Sequence, residues 1–529
     1  MSEHMGKTNE AAANFFAEGF EHYAHKRYRE AIESFEKVCS PDGTTFLFLG
    51  NAYFYSNDYE NAIANYDKAI KQDQNYADVH FNQGIAYQQS SDDKRCFLKL
   101  KKAVSLDSYF VPLFTDFVDK KIKTDAGWFW TFTSEELDAA PHYFLRLIAF
   151  CIKQRRTTKE YQNLITAVYS LWNALRCKQD DAGHIYQYTS LRVLENERVT
   201  RRFRLTPAGY QNDPEEGKVL YKFLKHRFEG ESKETSFVFD EMYQKTSGSD
   251  TVAFIRSFTT LEDTLFMWDS SYAAHGEGAA VGIAKQKINK GFGIDSLSRE
   301  MSLPAQSLEM PLNTLAKGKT DNPQTDAVKD VSKNYDVVPM QEKTEQPKES
   351  AAEGESKKPV SVPMSSIGLY KVLYIGETAE EKDAAVQAAL DKLGEIEKAL
   401  KAFEGKVPKN DTVEKEQFVD FLSKLFTPVA HLIKKETYKH EEEYRLLYVS
   451  SIADATDKNY IHEEKTEEGV CNGIFIETEA ILFKDFKEKD IVYFGPKVSE
   501  TTRLRYEHAF RHKGLADKVD LRPSKIHYR

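Results

Sequence analysis

Three charged residues alternate along the stretch Y-K-H-E-E-E-Y-R-L-L-Y-V at residues 438–449: Glu441, Glu443 and Arg445. With a period of two they would share one face of a strand, opposite a face of aromatic and aliphatic side chains. Carboxylates held close to each other and to a cation have perturbed pKa values, which suits acid–base or cation-stabilising chemistry. The sequence therefore predicts a candidate site on the open face of this strand. The lysine-rich segment before it also favours helix, so a solvated charged face is the competing interpretation.

Composition narrows the classes of function. At 529 residues the chain is too long for one ordinary domain, and we expect two or three. A net charge of −10 argues against a general nucleic-acid-binding surface, which needs an excess of lysine and arginine. Five cysteines lie far apart with no C-x-x-C pair, which predicts reduced thiols and no metal site. The N-terminus lacks an apolar signal core, and no apolar run reaches about 18 residues, so we expect a cytoplasmic protein without a membrane span.

A repeat occupies the N-terminal part of the chain. Gly19, Gly50 and Gly84 are 31 and 34 residues apart, and small and bulky residues follow each glycine at equivalent spacings. The small residues are Ala31, Ala62 and Cys96, and the bulky ones are Phe35, Tyr66 and Leu100. This pattern resembles the tetratricopeptide repeat. The resemblance implies about three repeats within residues 1–108, stacked into a solenoid whose concave face binds a protein partner. The alternative is an arm that only positions the next domain.

The remaining sequence predicts three further parts. Residues 109–180 are expected to continue as helices that cap the repeats and connect them to the next domain. After residue 180 the residue pattern becomes typical of strands and turns. We expect an α+β domain with a mixed or antiparallel sheet over residues 181–295 and 365–529, including a strand at V-L-Y-K-F-L, residues 219–224. Residues 296–364 are rich in Ser, Lys, Glu, Gln and Pro, which predicts a disordered insertion. The chain is thus expected to be multidomain, with an all-α solenoid followed by an interrupted α+β domain.

Four motifs of the expected α+β domain resemble, in the same order along the chain, motifs of domain-of-unknown-function family 2971, which is known mainly from bacteria. The motifs are Y-Q-Y-T-S at residues 186–190, Y-Q-N-D-P at 210–214, M-W at 267–268 with Y-A at 272–273, and Tyr438 with Glu441, Glu443 and Arg445. Thr189 and Tyr438 depart from the arginine and tryptophan that the family has at these positions.

The order of an aromatic first strand, a Ser-x-Thr strand and a late Glu-x-Glu strand is similar to the plan of ADP-ribosyltransferases. That resemblance implies NAD as cofactor and transfer of ADP-ribose to a protein or nucleic-acid target. It assigns Glu443 as the carboxylate that stabilises the ribose cation, and Glu441 as the acceptor-side carboxylate, with Arg445 beside them. The NAD-binding residues would be Tyr186, Tyr188, Ser257, Thr259, Trp268 and Tyr272.

Two other classes of function stay open. In a non-catalytic adaptor, the charged residues would form an internal ion-pair ladder and the aromatic residues would be core. A metal-dependent hydrolase or nuclease could gather Asp213, Glu441 and His275, but no H-E-x-x-H motif or paired-aspartate spacing supports it.

Overall fold

A computed structural model describes residues 14–125, 127–138, 140–177, 181–210, 215–228, 238–242, 251–289, 367–376, 384–403, 412–451, 460–465, 471–478, 480–484 and 486–526. Helical hairpins come first and a mixed, mostly antiparallel sheet follows, so the predicted multidomain fold is confirmed. The predicted disordered insertion at 296–364 lies outside the described residues. Among the described residues, every helix is too short or too polar to span a lipid bilayer.

Three hairpins form the repeat region. Their helices are α1 (14–24), α2 (Tyr28–Glu36), α3 (Gly43–Tyr55), α4 (Tyr59–Gln72), α5 (Ala77–Gln89) and α6 (Asp93–Leu106). A Cβ atom on Gly19 would lie 2.6 Å from the Phe35 ring, and one on Gly50 would lie 2.6 Å from the Tyr66 ring. The predicted pairing of small and bulky residues is therefore how the two helices of a hairpin approach each other.

The turn inside each hairpin has a shared geometry that recurs later in the chain. Four more helices follow the repeats: α7 (Val111–Asp125), α8 (Ser134–Leu137), α9 (Tyr143–Lys153) and α10 (Lys159–Leu175). Asn57 and Ser91 are left-handed in the second and third hairpins, and so is Arg155 between α9 and α10. The next residue in each turn donates its N–H to a carbonyl five residues back, as Arg156 does to Cys151 at 2.8 Å. The α9–α10 hairpin thus extends the stack with a turn of the repeat type.

Within the described ranges the sheet contains ten strands, and two more strands pair separately. The ten are β1 (His184–Thr189), β2 (Arg204–Pro207), β3 (Thr251–Thr259), β4 (Ala279–Ala284), β5 (Gly368–Lys371), β8 (Glu443–Ser451), β9 (His462–Lys465), β10 (Cys471–Glu477), β11 (Asp490–Phe494) and β12 (Val519–Pro523). Strands β6 (Leu373–Ile375) and β7 (Ile433–Lys435) pair in parallel. The described helices in this part are α11 (Leu191–Thr200), α12 (Val219–Phe228), α13 (238–242), α14 (Leu265–Asp269), α15 (Lys285–Asn289), α16 (Ala384–Lys401), α17 (Thr412–Ala430) and α18 (Glu500–His512).

The predicted strand at residues 219–224 is wrong, because this segment begins α12. Leu220, Leu224 and Phe228 recur every four residues and are all fully buried. That spacing places them on one helical face, and it outweighs the β-branched and aromatic content of the segment.

Helices α16 and α17 pack against the helical stack, although they follow the strands in sequence. The Tyr161 ring of α10 meets Phe403 and Phe421 edge-on, with ring centroids 5.0 and 5.1 Å apart. One hydrophobic core consequently runs from Leu47 in the repeats to Val449 in β8.

Candidate functional site

Strand β3 joins the elements that carry the predicted site residues. It pairs with β8 along its whole length, ending with Thr259 opposite Glu443. On its other edge, Thr259 is also opposite Tyr186 of β1, and this is the one register pair between these two strands. Strand β3 is therefore the neighbour of both β1 and β8 in the sheet.

A pocket of about 100 Å³ opens beside these strands. Eight of the nine predicted site residues line it: Tyr186, Tyr188, Ser257, Thr259, Tyr272, Glu441, Glu443 and Arg445. Since side chains two apart on a strand share a face, the strand residues reach the pocket from one side of the sheet. The structure thus brings the predicted residues together, and what they do there stays a prediction.

Glu441 does not lie on the strand as predicted. A 3₁₀ helix covers Glu436–Glu441, Glu442 is left-handed, and β8 begins at Glu443. The predicted open face is also wrong, because Glu443 is 5% and Arg445 2% exposed. These two residues project into the interior, where further charged groups from other segments neutralise them.

Charged side chains, buried except at the Glu441 end, form an alternating chain, which we call the ion chain: Glu441, Lys434, Glu443, Arg445 and Glu216. Lys434 Nζ lies 2.8 Å from a carboxylate oxygen of Glu441 and 2.8 Å from one of Glu443. Arg445 donates from Nε to Glu443 at 2.7 Å. It also donates from both terminal nitrogens to Glu216, at 2.6 and 2.9 Å. Such bidentate, charge-assisted bonds are strong and fix the geometry of both partners.

The ion chain sets the protonation of its carboxylates. Burial alone would raise the pKa of the Glu216 carboxyl, but Arg445 and His431 more than offset it and lower that pKa to about 2. Burial likewise opposes ionisation of Glu443, and Arg445 and Lys434 overcome it and lower the pKa. Glu443 is therefore a carboxylate anion at neutral pH, as stabilisation of a cation would require.

Trp268 is the predicted site residue that does not line the pocket. Its side chain is fully buried, and its indole Nε1 donates to Asp263 at 2.7 Å. Its ring meets that of Tyr188 edge-on, with centroids 4.8 Å apart. Trp268 thus supports the pocket wall from behind, through its contact with Tyr188.

Three ionisable residues of the pocket region were not predicted. Glu216 and Lys434 line the pocket, and His431 lies 3.0 Å from Glu216. Gly217 allows this approach, since it has a φ of 71° and a Cβ atom there would lie 2.5 Å from the His431 ring. Glu216 is more than two hundred residues before Arg445, and no local pattern pairs them. Lys434 lies in the lysine-rich segment whose composition favours helix, so no local pattern singled it out.

The pocket suits a small group. Sites that enclose a drug-sized ligand measure about 300–1,000 Å³, so this pocket of about 100 Å³ can take one ring or one side chain. Aromatic side chains and three serine or threonine residues line it, together with the members of the ion chain. Among the described residues, no group of three or more His, Cys, Asp or Glu side chains is arranged to hold a metal ion.

Comparison with known proteins identifies the repeats alone. A tetratricopeptide repeat family model matches residues 50–91, from the middle of α3 to the turn after α5. No curated protein matches the chain at a significant level. The chain is therefore similar to tetratricopeptide repeat proteins over most of its second hairpin and the first helix of its third.

Proposed function

We propose that the helical part of the chain binds a partner protein along the concave face of its stacked repeats. The tetratricopeptide match over residues 50–91 carries this proposal. Stacked repeats provide an extended curved surface that suits a protein or peptide. We place this surface along the first helices of the hairpins, where Ala24, Tyr55 and Gln89 occupy equivalent, accessible positions.

Site-specific photo-crosslinking in cells tests this proposal. A photoreactive amino acid is placed at Tyr55 or Gln89, or at the exposed positions Ala64 or Lys71 on the second helix α4. The first-helix positions should give a discrete crosslinked partner, and the α4 positions should not. Equal crosslinking from both sides, or none above background, would exclude the concave face as the binding surface.

A second candidate function is NAD-dependent ADP-ribosyl transfer at the pocket. Its support is that Ser257, Tyr272 and Glu443, which come from distant parts of the sequence, line one pocket. The adjacency of β1, β3 and β8 is consistent with the same plan. The α+β part would then modify a target that the repeats recruit.

In this candidate reaction each residue has a distinct role. Glu443 would hold negative charge beside the ribose carbon from which nicotinamide departs. The Tyr272 ring would stack on the nicotinamide ring. The pocket has room for that ring, and the rest of the dinucleotide would lie over the surface outside. Because Lys434 and Arg445 already form ion pairs with Glu443, only part of its negative charge would be available to the ribose.

Nicotinamide release from NAD by the full chain tests the second candidate. Tyr272→Ala should reduce release at least about tenfold without loss of stability, because this side chain is 52% exposed. Val199→Ala, at a 64% exposed position on α11, should have no effect on release. No release, together with no change in melting temperature on adding NAD, would leave the adaptor as the function of the whole chain.

A further inference from the structure

The cations that line the pocket are already bonded within the ion chain. Every N–H group of the Arg445 guanidinium is used: Nε and one terminal nitrogen donate to Glu443, and both terminal nitrogens donate to Glu216. One terminal nitrogen also donates to the carbonyl of His431 at 2.5 Å. Lys434 Nζ is held between two carboxylates. A negatively charged ligand would have to displace one of these carboxylates, so the pocket disfavours anions.

The acceptor groups of the pocket, in contrast, are only partly used. Lys434 bonds Oε2 of Glu441, and Oε1 of the same carboxylate has no partner among the described residues. The Ser257 hydroxyl, which also lines the pocket, likewise lacks a partner in the part of the chain that the structure describes. The ion chain has three carboxylates and two cations, which leaves one negative charge in excess when His431 is neutral. A ligand that brings positive charge would therefore balance the ion chain.

Three tyrosine rings also line the pocket: those of Tyr186, Tyr188 and Tyr272. The Tyr188 ring is supported edge-on by Trp268. The Tyr186 ring lies tilted against Tyr493, with centroids 6.3 Å apart. Within the described ranges, no lysine or arginine lies over any of the three tyrosine rings. Because the face of an aromatic ring is negative, these rings can attract a cation that enters the pocket.

Tyr272 lies within electrostatic reach of the ion chain. Burial raises the pKa of its phenol, and Lys434 lowers it. Glu441 and Glu443 raise the same pKa. The aromatic rings and the charged groups therefore act on one volume of about 100 Å³, which has room for the head group of a single side chain.

We propose that the pocket binds an organic cation, namely an alkylated ammonium group on a small molecule or on a modified lysine of a partner protein. The tyrosine rings attract such a weakly hydrated cation through their negative faces. Oε1 of Glu441 gives the cation an ionic contact, and the added charge balances the ion chain. An unmodified lysine ammonium is more strongly hydrated and gains less from the rings. Binding requires neither NAD nor transfer of ADP-ribose, so it goes beyond both functions proposed above.

Saturation-transfer NMR with the full chain tests the proposal, without nucleotide and at pH 8, above the usual titration range of histidine. The probes are choline and its neutral isostere, the alcohol in which a tert-butyl group replaces the trimethylammonium group. Choline should bind at least about tenfold more tightly than this alcohol. A peptide with one trimethyllysine then distinguishes the two sources of the cation. If it displaces choline, the natural ligand is a protein side chain, and if choline alone binds, it is a free molecule.

Substitutions at the pocket separate the two interactions. Tyr272→Leu keeps an apolar side chain but removes the ring, and it should weaken choline binding by about three- to tenfold. Tyr272→Phe keeps the ring and should bind choline like the wild type. Glu441→Gln removes the excess charge and should also weaken choline, while binding of the neutral alcohol stays unchanged. Glu500→Gln, whose side chain is 78% exposed on α18, is the matched control and should have no effect.

Three results would overturn the proposal. They are failure of both choline and the trimethyllysine peptide to bind, equal affinity for choline and its neutral isostere, and equal weakening of both by Glu441→Gln and Tyr272→Leu. The second result would show a pocket that selects shape alone. Melting temperatures of the variants exclude unfolding as the cause of lost binding. Since no NAD is present, failure of the transferase proposal would not change any of these outcomes.

Discussion

Single residues at the pocket act through their neighbours in the ion chain. Glu443 accepts from Lys434 and Arg445 together, while Glu216 accepts from Arg445 and lies beside His431. Removing one member of a buried ionic group leaves an uncompensated charge, which costs more than the pair contributes when intact. A substitution at Glu443 therefore changes stability as well as chemistry, and loss of activity in Glu443→Gln alone would not assign a catalytic role.

Lys434→Met should destabilise the protein by about 1–3 kcal/mol, because Glu443 loses a charged hydrogen-bond partner in a buried setting. Glu441→Gln, at the more exposed end of the ion chain, should cost less than about 1 kcal/mol. Urea unfolding at pH 7 measures both. If both variants lost the same unfolding free energy, the contact between Lys434 and the buried Glu443 would add no stability beyond the contact between Lys434 and Glu441.

Acid should weaken the fold through Glu216. Its pKa is lowered from 4.5 to about 2 in the folded state, so its contribution is complete above pH about 4.5 and is lost as pH falls toward 2. Glu216→Gln should lower the free energy of unfolding by on the order of 2–3 kcal/mol at pH 7. In this variant the free energy of unfolding should also fall less steeply between pH 4.5 and 2 than in the wild type. Urea unfolding across this range measures the change. Glu500→Gln, whose side chain is 78% exposed, is the control and should follow the wild-type pH profile.

The sequence predicted which charged residues share a strand face, but it did not predict their burial or their distant partners. Alternation placed Glu443 and Arg445 correctly on one face of a strand, because the period of two is a local property. It could not reveal that Glu216 would meet that face, since the contact joins distant segments. The left-handed Glu442 broke the alternation at Glu441, and a change in one backbone angle leaves no periodic signal.

Among the elements, the helical hairpins were the most predictable. Small and bulky residues recur with the period of the repeat, and they contact each other directly, as Gly50 and Tyr66 do. The strands β1, β3 and β8 were also predicted from sequence, whereas α12 was taken for a strand because its composition and its spacing disagree. The packing of α16 and α17 on α10 was not predicted, since nothing local to either partner encodes it.

Two glycine substitutions in helices should have opposite effects. Gly50→Ala would bring a methyl group to 2.6 Å from the Tyr66 ring, and the resulting overpacking should cost about 1–3 kcal/mol. Gly394→Ala, inside α16 with no atom within 4 Å of the new Cβ, should stabilise the protein by about 0.5–1 kcal/mol. Thermal unfolding measures both changes, and we expect a lower melting temperature for Gly50→Ala and a higher one for Gly394→Ala. Stabilisation by Gly50→Ala would contradict the close approach of α3 and α4.

At the scale of the whole molecule, one hydrophobic core spans the helical stack and one face of the sheet, while the other face packs in a core of its own. Arg146 of α9 donates to the carbonyl of Val449 at the far end of β8, whose near end lines the pocket. Because the core around α10 joins the helices to the strands, the parts should unfold together. Fluorine NMR of the chain labelled with fluorotryptophan can follow Trp128 and Trp172 in the helices and Trp268 beside the pocket. All three signals should disappear at one urea concentration, and separate midpoints would show independent domains.

The shared core also limits how the protein can be divided. Helices α16 and α17 cover α10 only after more than two hundred further residues have been synthesised. Until then, a nascent chain that has completed α10 exposes the apolar surface around Tyr161 that Phe403 and Phe421 later cover. A shortened polypeptide ending at Arg176 would keep that surface uncovered, so we expect it to self-associate or to need a chaperone while the full-length chain does not.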